Sequence, residues 1–157
     1  MSTCPPASAA ELRTRALRLL ARREHSRAEL ARKLAAHAER AEVLAAVLDS
    51  LVLKKQLSDE RYAEARAHQL ARKYGAAKIR QDLKTKGIDE EVIHRISSEG
   101  ELERAKGILE RKYREPATTR EERARRARFL QGRGFSYDVI RRLLSSAGTE
   151  YTSSLYI

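Results

Sequence analysis

Tryptophan is absent from this sequence of 157 residues, and phenylalanine occurs only twice. With aromatic side chains at 5%, a core must be assembled from Leu, Ile, Val and Ala. That suits thin helical packing better than a β-sandwich. Glycine (7) and proline (3) are also scarce, whereas sheet proteins need frequent turns. Cys4 is the single cysteine, which excludes a disulfide within the chain and a metal site built from thiolates. No apolar run approaches the ~20 residues that cross a bilayer. The N-terminus lacks the charged-then-apolar pattern of a signal peptide, so a cytoplasmic location is expected.

What the chain has in abundance is positive charge. Charged residues make up 35%, with 33 Lys and Arg against 22 Asp and Glu, a net charge of +11. A field of that sign attracts polyanions: DNA, RNA, an acidic protein surface or an anionic membrane.

Residues 1–8 read as a disordered tail, because Pro5 and Pro6 oppose helix there. From Glu11 onward the helical period takes over, with Leu12, Ala16, Leu19 and Leu20 on one face. Ser26 and Glu29 are spaced as a capping box for a second helix through Leu30 and Leu34. A third helix carries Val43, Leu44, Val47, Leu48 and Leu51. Ser58 and Asp59 start the next, which Gly75 ends. Ile79 and Leu83 mark a following helix that stops at Gly87, and Asp89 caps a short one with Val92, Ile93 and Ile96. After Gly100 comes a stripe of Leu102, Ala105, Ile108, Leu109 and Tyr113. Thr118 or Thr119 opens a helix to about Gly132, and Val139, Ile140, Leu143 and Leu144 face inward from the last. Residues 148–157 show no helical pattern and read as a loose tail.

The later blocks repeat. Leu83-x-x-x-Gly87-Ile88 returns as Leu130-x-x-x-Gly134-Phe135, and Val92-Ile93-x-x-Ile96 as Val139-Ile140-x-x-Leu143. The first block matches the second more weakly, pairing Ser26 with Gly75, Leu30 with Ile79 and Leu34 with Leu83. The expected fold is therefore all-α, with three tandem three-helix repeats at 9–57, 58–99 and 100–147 stacked into an elongated, curved array. Because the repeat buries its own faces, a monomer is expected.

Surface positions recur as well. Lys73, Lys78, Lys86 and Arg95 map onto Arg120, Arg125, Arg133 and Arg142. A solvated face inherited by duplication accounts for this as readily as a basic track that follows an acidic polymer. Residues 101–147 carry 13 Lys or Arg against 7 Asp or Glu, and 58–98 carry 9 against 7. Arg128 shares a helix face with Arg125. Arg126 stands where the second repeat has Ile79. It either snorkels along its apolar stem or opens that face to a partner. These ten residues form the candidate nucleic-acid and partner-binding set.

Catalysis is not expected. His25, His37, His68 and His94 are scattered without metal-ligand spacing, no glycine loop cradles phosphate, and no cofactor is implied. Glu90-Glu91 and Glu121-Glu122 fit helix starts, where acids complement the dipole. Tyr62 and Tyr74 read as packing rather than base-stacking platforms, and a helix cap accounts for Asp59 more simply than partner contact. The main rival to a polymer-tracking protein is a basic helix-turn-helix DNA-binding protein. Its recognition helix at 119–132 would offer Arg120, Arg123, Arg125 and Arg128 but only Gln131 as an amide, a composition for phosphates rather than base edges.

An ordered series of motifs resembles the RecX family of recombination regulators. Ala16-Leu17-x-x-Leu20-x-x-Arg23-x-x-Ser26-x-x-Glu29-Leu30-x-x-x-Leu34 is similar to its opening, and Gln56-Leu57-Ser58-Asp59-Glu60-Arg61-Tyr62-Ala63 to its central motif. Gln56 departs from the Gly or Tyr common there. Gly75-x-x-x-Ile79-x-x-x-Leu83-x-x-x-Gly87-Ile88 and Arg128-Phe129-Leu130-x-x-Arg133-Gly134-Phe135-x-x-x-x-Ile140 follow in place. The resemblance covers roughly residues 11–146. It implies three three-helix units and a protein without chemistry of its own. It further implies one that binds the RecA recombinase filament and single-stranded DNA, with duplex DNA a further non-specific ligand. Filament extension, ATP hydrolysis and strand exchange would fall as a result.

Overall fold

The computed structural model describes residues 5–149, with side chains to 145. Cys4 and residues 150–157 of the expected tails lie outside that range. Nine α-helices occur among the described residues: α1 (Ala9–Arg22), α2 (Arg27–Leu34), α3 (Ala41–Leu53), α4 (Asp59–Leu70), α5 (Ala76–Thr85), α6 (Glu90–His94), α7 (Glu101–Lys112), α8 (Arg120–Gly132) and α9 (Tyr137–Thr149). They fall in three groups of three. A 3-10 turn at Ala35–His37 follows α2, and a lone bridge joins Ala7 to Ala38.

Two corrections concern the ends. Ala7 and Ser8 belong to the folded chain rather than to a disordered tail. The Ala7 amide donates to the His37 carbonyl at 2.8 Å. Ser8 and Glu11 form a reciprocal capping box that starts α1 at Ala9. At the other end α9 continues to Thr149, two residues into the stretch read as loose.

The chain divides into two compact units. The first holds the residues up to Arg66 together with Leu83–Ile96, and the second holds Ala67–Asp82 together with the chain from Ser97. The middle helical group thus contributes to both. In the first unit Leu12, Ala16, Leu30, Leu34, Leu44, Leu48, Leu51 and Leu57 form one core. All but Leu57, which lies between α3 and α4, are positions of the 3.6-residue period, and apolar burial of this kind is worth about 25 cal/mol per Å². In the second unit Ala105, Ile108, Leu130, Phe135, Val139 and Ile140 do the same.

The central motif fastens the first unit together. Leu57, Tyr62 and Ala63 are buried. The Ser58 hydroxyl accepts from the Arg61 amide at 3.2 Å and caps α4. Glu60 pairs with Arg95 at 2.9 Å, and Arg61 with Glu24 at 2.9 Å. Asp59 does not cap its own helix. Its Oδ1 accepts from the Arg27 amide, the first residue of α2, at 2.8 Å. The second unit repeats the device. Glu101, the first residue of α7, accepts through Oε1 from the Ala76 amide, the first residue of α5, at 3.1 Å. In each case the leading residue of one helical group caps the middle helix of the group before it, supplying an acceptor to an amide with no partner inside its helix.

Glycines complete both junctions. Gly87 has φ +78° and a Cβ there would sit 2.9 Å from the Ala28 Cβ. Gly134 has φ +84° and a Cβ there would lie 2.5 Å from the Lys78 Cβ. Both turns need the left-handed backbone and the missing side chain. Gly75 plays a different part from the helix stop expected of it. α4 ends at Leu70, and the Gly75 amide donates to the Arg133 carbonyl at 2.8 Å.

Ser26 caps α2 as expected, accepting from the Glu29 amide at 3.0 Å. The reciprocal half of the box is missing because Glu29 is held elsewhere. Its carboxylate takes a two-pronged contact from the Arg23 guanidinium, at 3.1 and 2.5 Å. Lys33 Nζ lies 3.3 Å away.

Candidate nucleic-acid and partner interface

The site in the second unit starts from a backbone contact. Gly75 and Gly134 approach so closely that a Cβ on Gly75 would stand 2.4 Å from the Gly134 carbonyl oxygen. The Ala77 amide donates to that oxygen at 3.1 Å, and Arg133 Nη1 donates to the Lys73 carbonyl at 3.3 Å. This pairing sets the residue before Gly134 against the residue before Gly75, which are Arg133 and Tyr74.

From that junction a ladder of alternating cations and rings extends across the unit. Lys78 Nζ lies 4.8 Å from the centroid of the Tyr74 ring. The Arg133 guanidinium stands 5.6 Å from Tyr74 and 5.2 Å from Phe129. Lys112 Nζ is 3.9 Å from Phe129 and 5.6 Å from Tyr113, and Arg126 is 4.4 Å from Tyr113. Tyr113 and Phe129 meet edge to face at 6.2 Å. Each rung contributes roughly 0.5–1 kcal/mol at exposed sites. The larger effect is to fix long, flexible cations in place.

Much of this ladder lines a groove of about 1230 Å³, together with Gly107 and Ile108 of α7. Arg72, Lys73, Lys78, Arg104, Arg111, Lys112 and Arg133 line it, and Glu103 is the acid among the lining residues. None of the seven cations is in an ion pair among the described residues. Arg104 Nε is buried without a hydrogen-bond acceptor, while its Nη1 donates to the Glu99 carbonyl at 3.0 Å. Seven cations gathered with a single acid repel one another, and an anion in the groove relieves that cost.

The ten candidate residues are therefore placed in different settings. Lys73, Lys78 and Arg133 come together in the groove. Lys86 belongs to the first unit, where its carbonyl lies 3.5 Å from the Ser26 hydroxyl. Arg120, Arg125 and Arg128 are exposed on α8. Arg95 is paired with Glu60 and Arg142 lies 3.4 Å from Asp138. Arg126 snorkels: it is half-buried, covers Tyr113 and donates to the Glu115 carbonyl at 2.7 Å. Arg72, Arg104, Arg111 and Lys112 were not singled out by the repeat comparison. A surplus of Lys and Arg on α7 was visible in the sequence, but its juxtaposition with α8 was not. Tyr62 is buried, as read, and Tyr74 is half-buried beneath its cations.

No group of three or more His, Cys, Asp or Glu among the described residues could hold a metal ion. No helix among them is long and apolar enough to cross a membrane.

Comparison with known proteins matches the chain to three family models in order: RecX, first three-helix domain, over residues 13–51; second, over 58–95; third, over 99–144. Regulatory protein RecX of Ralstonia nicotianae is 41% identical over 145 residues, covering 90% of this chain and 91% of its own. That of Leptothrix cholodnii is 44% identical over 143 residues, covering 89% and 91%. Among solved structures, RecX from Lactobacillus salivarius superimposes with a TM-score of 0.77 at 20% identity, over 90% of this chain and 97% of that one. A second structure, of regulatory protein RecX, gives 0.72 at 24% identity, over 88% and 73%. At those identities the two structures speak for the fold.

Proposed function

The chain belongs to the RecX family, and from that premise we propose that it binds the RecA recombinase on single-stranded DNA and restrains it. Extension of the filament, ATP hydrolysis and strand exchange fall as a result. The protein contributes no covalent chemistry. It acts by occupying surface on a polyanionic filament, as a monomer and in the cytoplasm, where that filament forms.

The observation that carries this reading is the groove of the second unit, with seven cations outside any ion pair among the described residues, of which Lys78, Lys112 and Arg133 are held by rings. A merely solvated face would scatter its cations among acids, as Arg95 with Glu60 and Arg27 with Asp49 illustrate. Lys73, Lys78 and Arg133 meet the polyanion in the groove, and the exposed Arg120, Arg125 and Arg128 extend the basic surface along α8. Lys86 is a further contact, made in the first unit, and Arg95, Arg126 and Arg142 contribute while retaining their internal partners.

The test is the rate of ATP hydrolysis by RecA on single-stranded DNA as this protein is titrated in, with strand exchange measured alongside. Both are expected to fall. If neither changes while the protein saturates the DNA on its own, the regulatory reading is wrong and a plain DNA-binding protein remains.

A further inference from the structure

We infer that the groove of the second unit grips the phosphodiester backbone of a single nucleic-acid strand and does not read or stack upon its bases. This deepens the proposed function and rests on it for the identity of the polyanion.

Single-strand binding surfaces usually pair a basic channel with aromatic platforms for bases. Here Tyr74 and Phe129 are already engaged, and His68 is the one other ring in the lining. Tyr74 has Lys78 and Arg133 within about 6 Å of its centroid. Phe129 has Lys112 and Arg133, and Tyr113, which is outside the lining, has Arg126 and Lys112. A base seeking one of these rings must first displace a cation that the ring holds. It would exchange one favourable contact for another and release a charge that phosphate wants nearby. The rings therefore serve the cations, keeping them extended at fixed positions along the wall.

The remaining lining points the same way. Arg72 and Arg111 are exposed, and they make neither an ion pair nor a ring contact among the described residues. Neutral amides able to read a base edge are absent from the lining residues, and Glu103 is the sole acceptor-only side chain there. A groove of about 1230 Å³ has the volume for a few nucleotides of one strand. Regularly spaced phosphates are the feature that every such strand shares.

The experiment compares a labelled thymidine oligomer with an abasic deoxyribose-phosphate oligomer of the same length. Affinity is read by fluorescence anisotropy over a range of salt, without recombinase. The proteins are the full chain and its Arg72→Ala/Arg111→Ala variant, both checked for helicity. The abasic strand is expected to bind within about threefold of the thymidine strand. The variant is expected to weaken both by roughly tenfold and to lower the salt slope by about 1.4, since each single-strand phosphate contact contributes ~0.7. An abasic strand bound ten or more times more weakly would show that bases are read and overturn the inference. A variant that binds both strands as the wild type does would remove the groove from the site. If that variant kept strand binding but lost inhibition of RecA, the groove would belong to a protein surface instead, again overturning it. Failure of the wild-type protein to inhibit RecA would count against the regulatory reading while leaving strand binding by the groove intact.

Discussion

At Glu29 one carboxylate is held by two cations. The hydrogen bond from Arg23 is the main reason its pKa falls from an ordinary 4.5 to about 2, with Lys33 adding to the effect and partial burial opposing it. A carboxyl group whose pKa is lower folded than unfolded stabilises the fold above its unfolded pKa. That contribution is lost as pH falls from about 4.5 toward 2. Because Arg23 is half exposed, solvent screening leaves on the order of 1–2 kcal/mol. Glu29→Gln is therefore expected to lower stability in urea at pH 7 by about that amount. The two proteins should converge near pH 2, where wild-type Glu29 is itself losing its charge. Equal stability at pH 7 would show that the contact contributes nothing. The same residue shows where reading a sequence stops. The Ser26-x-x-Glu29 spacing announced a capping box, and the serine half formed. The glutamate half did not, because a guanidinium six residues earlier in the chain offers charged hydrogen bonds that one backbone amide cannot match.

Between elements, the junctions rest on Asp59 with Arg27 and on Glu101 with Ala76. Each carboxylate lies at the positive end of a neighbouring helix dipole and satisfies an amide otherwise without a partner. Asp59→Ala should cost about 1 kcal/mol, the usual loss of an N-terminal cap, read as a lower midpoint in urea with unchanged slope. Gly134→Ala should cost more, roughly 2–4 kcal/mol, because it combines a left-handed backbone with a Cβ placed 2.5 Å from the Lys78 Cβ and 2.7 Å from the Lys78 amide. It should also weaken binding to single-stranded DNA, since it moves Arg133 away from Tyr74. A Gly134→Ala protein as stable as wild type would contradict the packing described. The helices and their periodic cores were legible because spacing alone dictates a buried face, and the recurrence of Gly87 as Gly134 marked the turns. The partners of Asp59 and Glu101 were not legible. They lie 32 and 25 residues away along the chain, and no local pattern encodes a cap supplied by another helix. The cation–ring ladder was hidden for the same reason. Tyr74, Tyr113 and Phe129 come from three separated stretches, and only the Gly75–Gly134 approach sets Arg133 between Tyr74 and Phe129.

Across the whole molecule, a net charge of +11 draws in a polyanion from a distance set by the Debye length, about 8 Å at physiological salt. Short-range contacts then decide where it settles. Arg125 and Arg128 are exposed on α8 and three residues apart, so they present their charges on one face. They are not among the residues lining the groove. Their role can thus be separated from that of Arg72 and Arg111. Arg125→Ala/Arg128→Ala should leave helicity and melting temperature almost unchanged, since surface substitutions away from special features cost within about 0.5 kcal/mol. If both residues meet phosphate, inhibition of RecA should weaken and the salt slope for single-stranded DNA should fall by roughly 1.4. If they only add to the long-range field, association should slow at low salt while affinity at physiological salt stays near wild type. Inhibition identical to wild type at both low and high salt would exclude Arg125 and Arg128 from the interface and point to the groove instead.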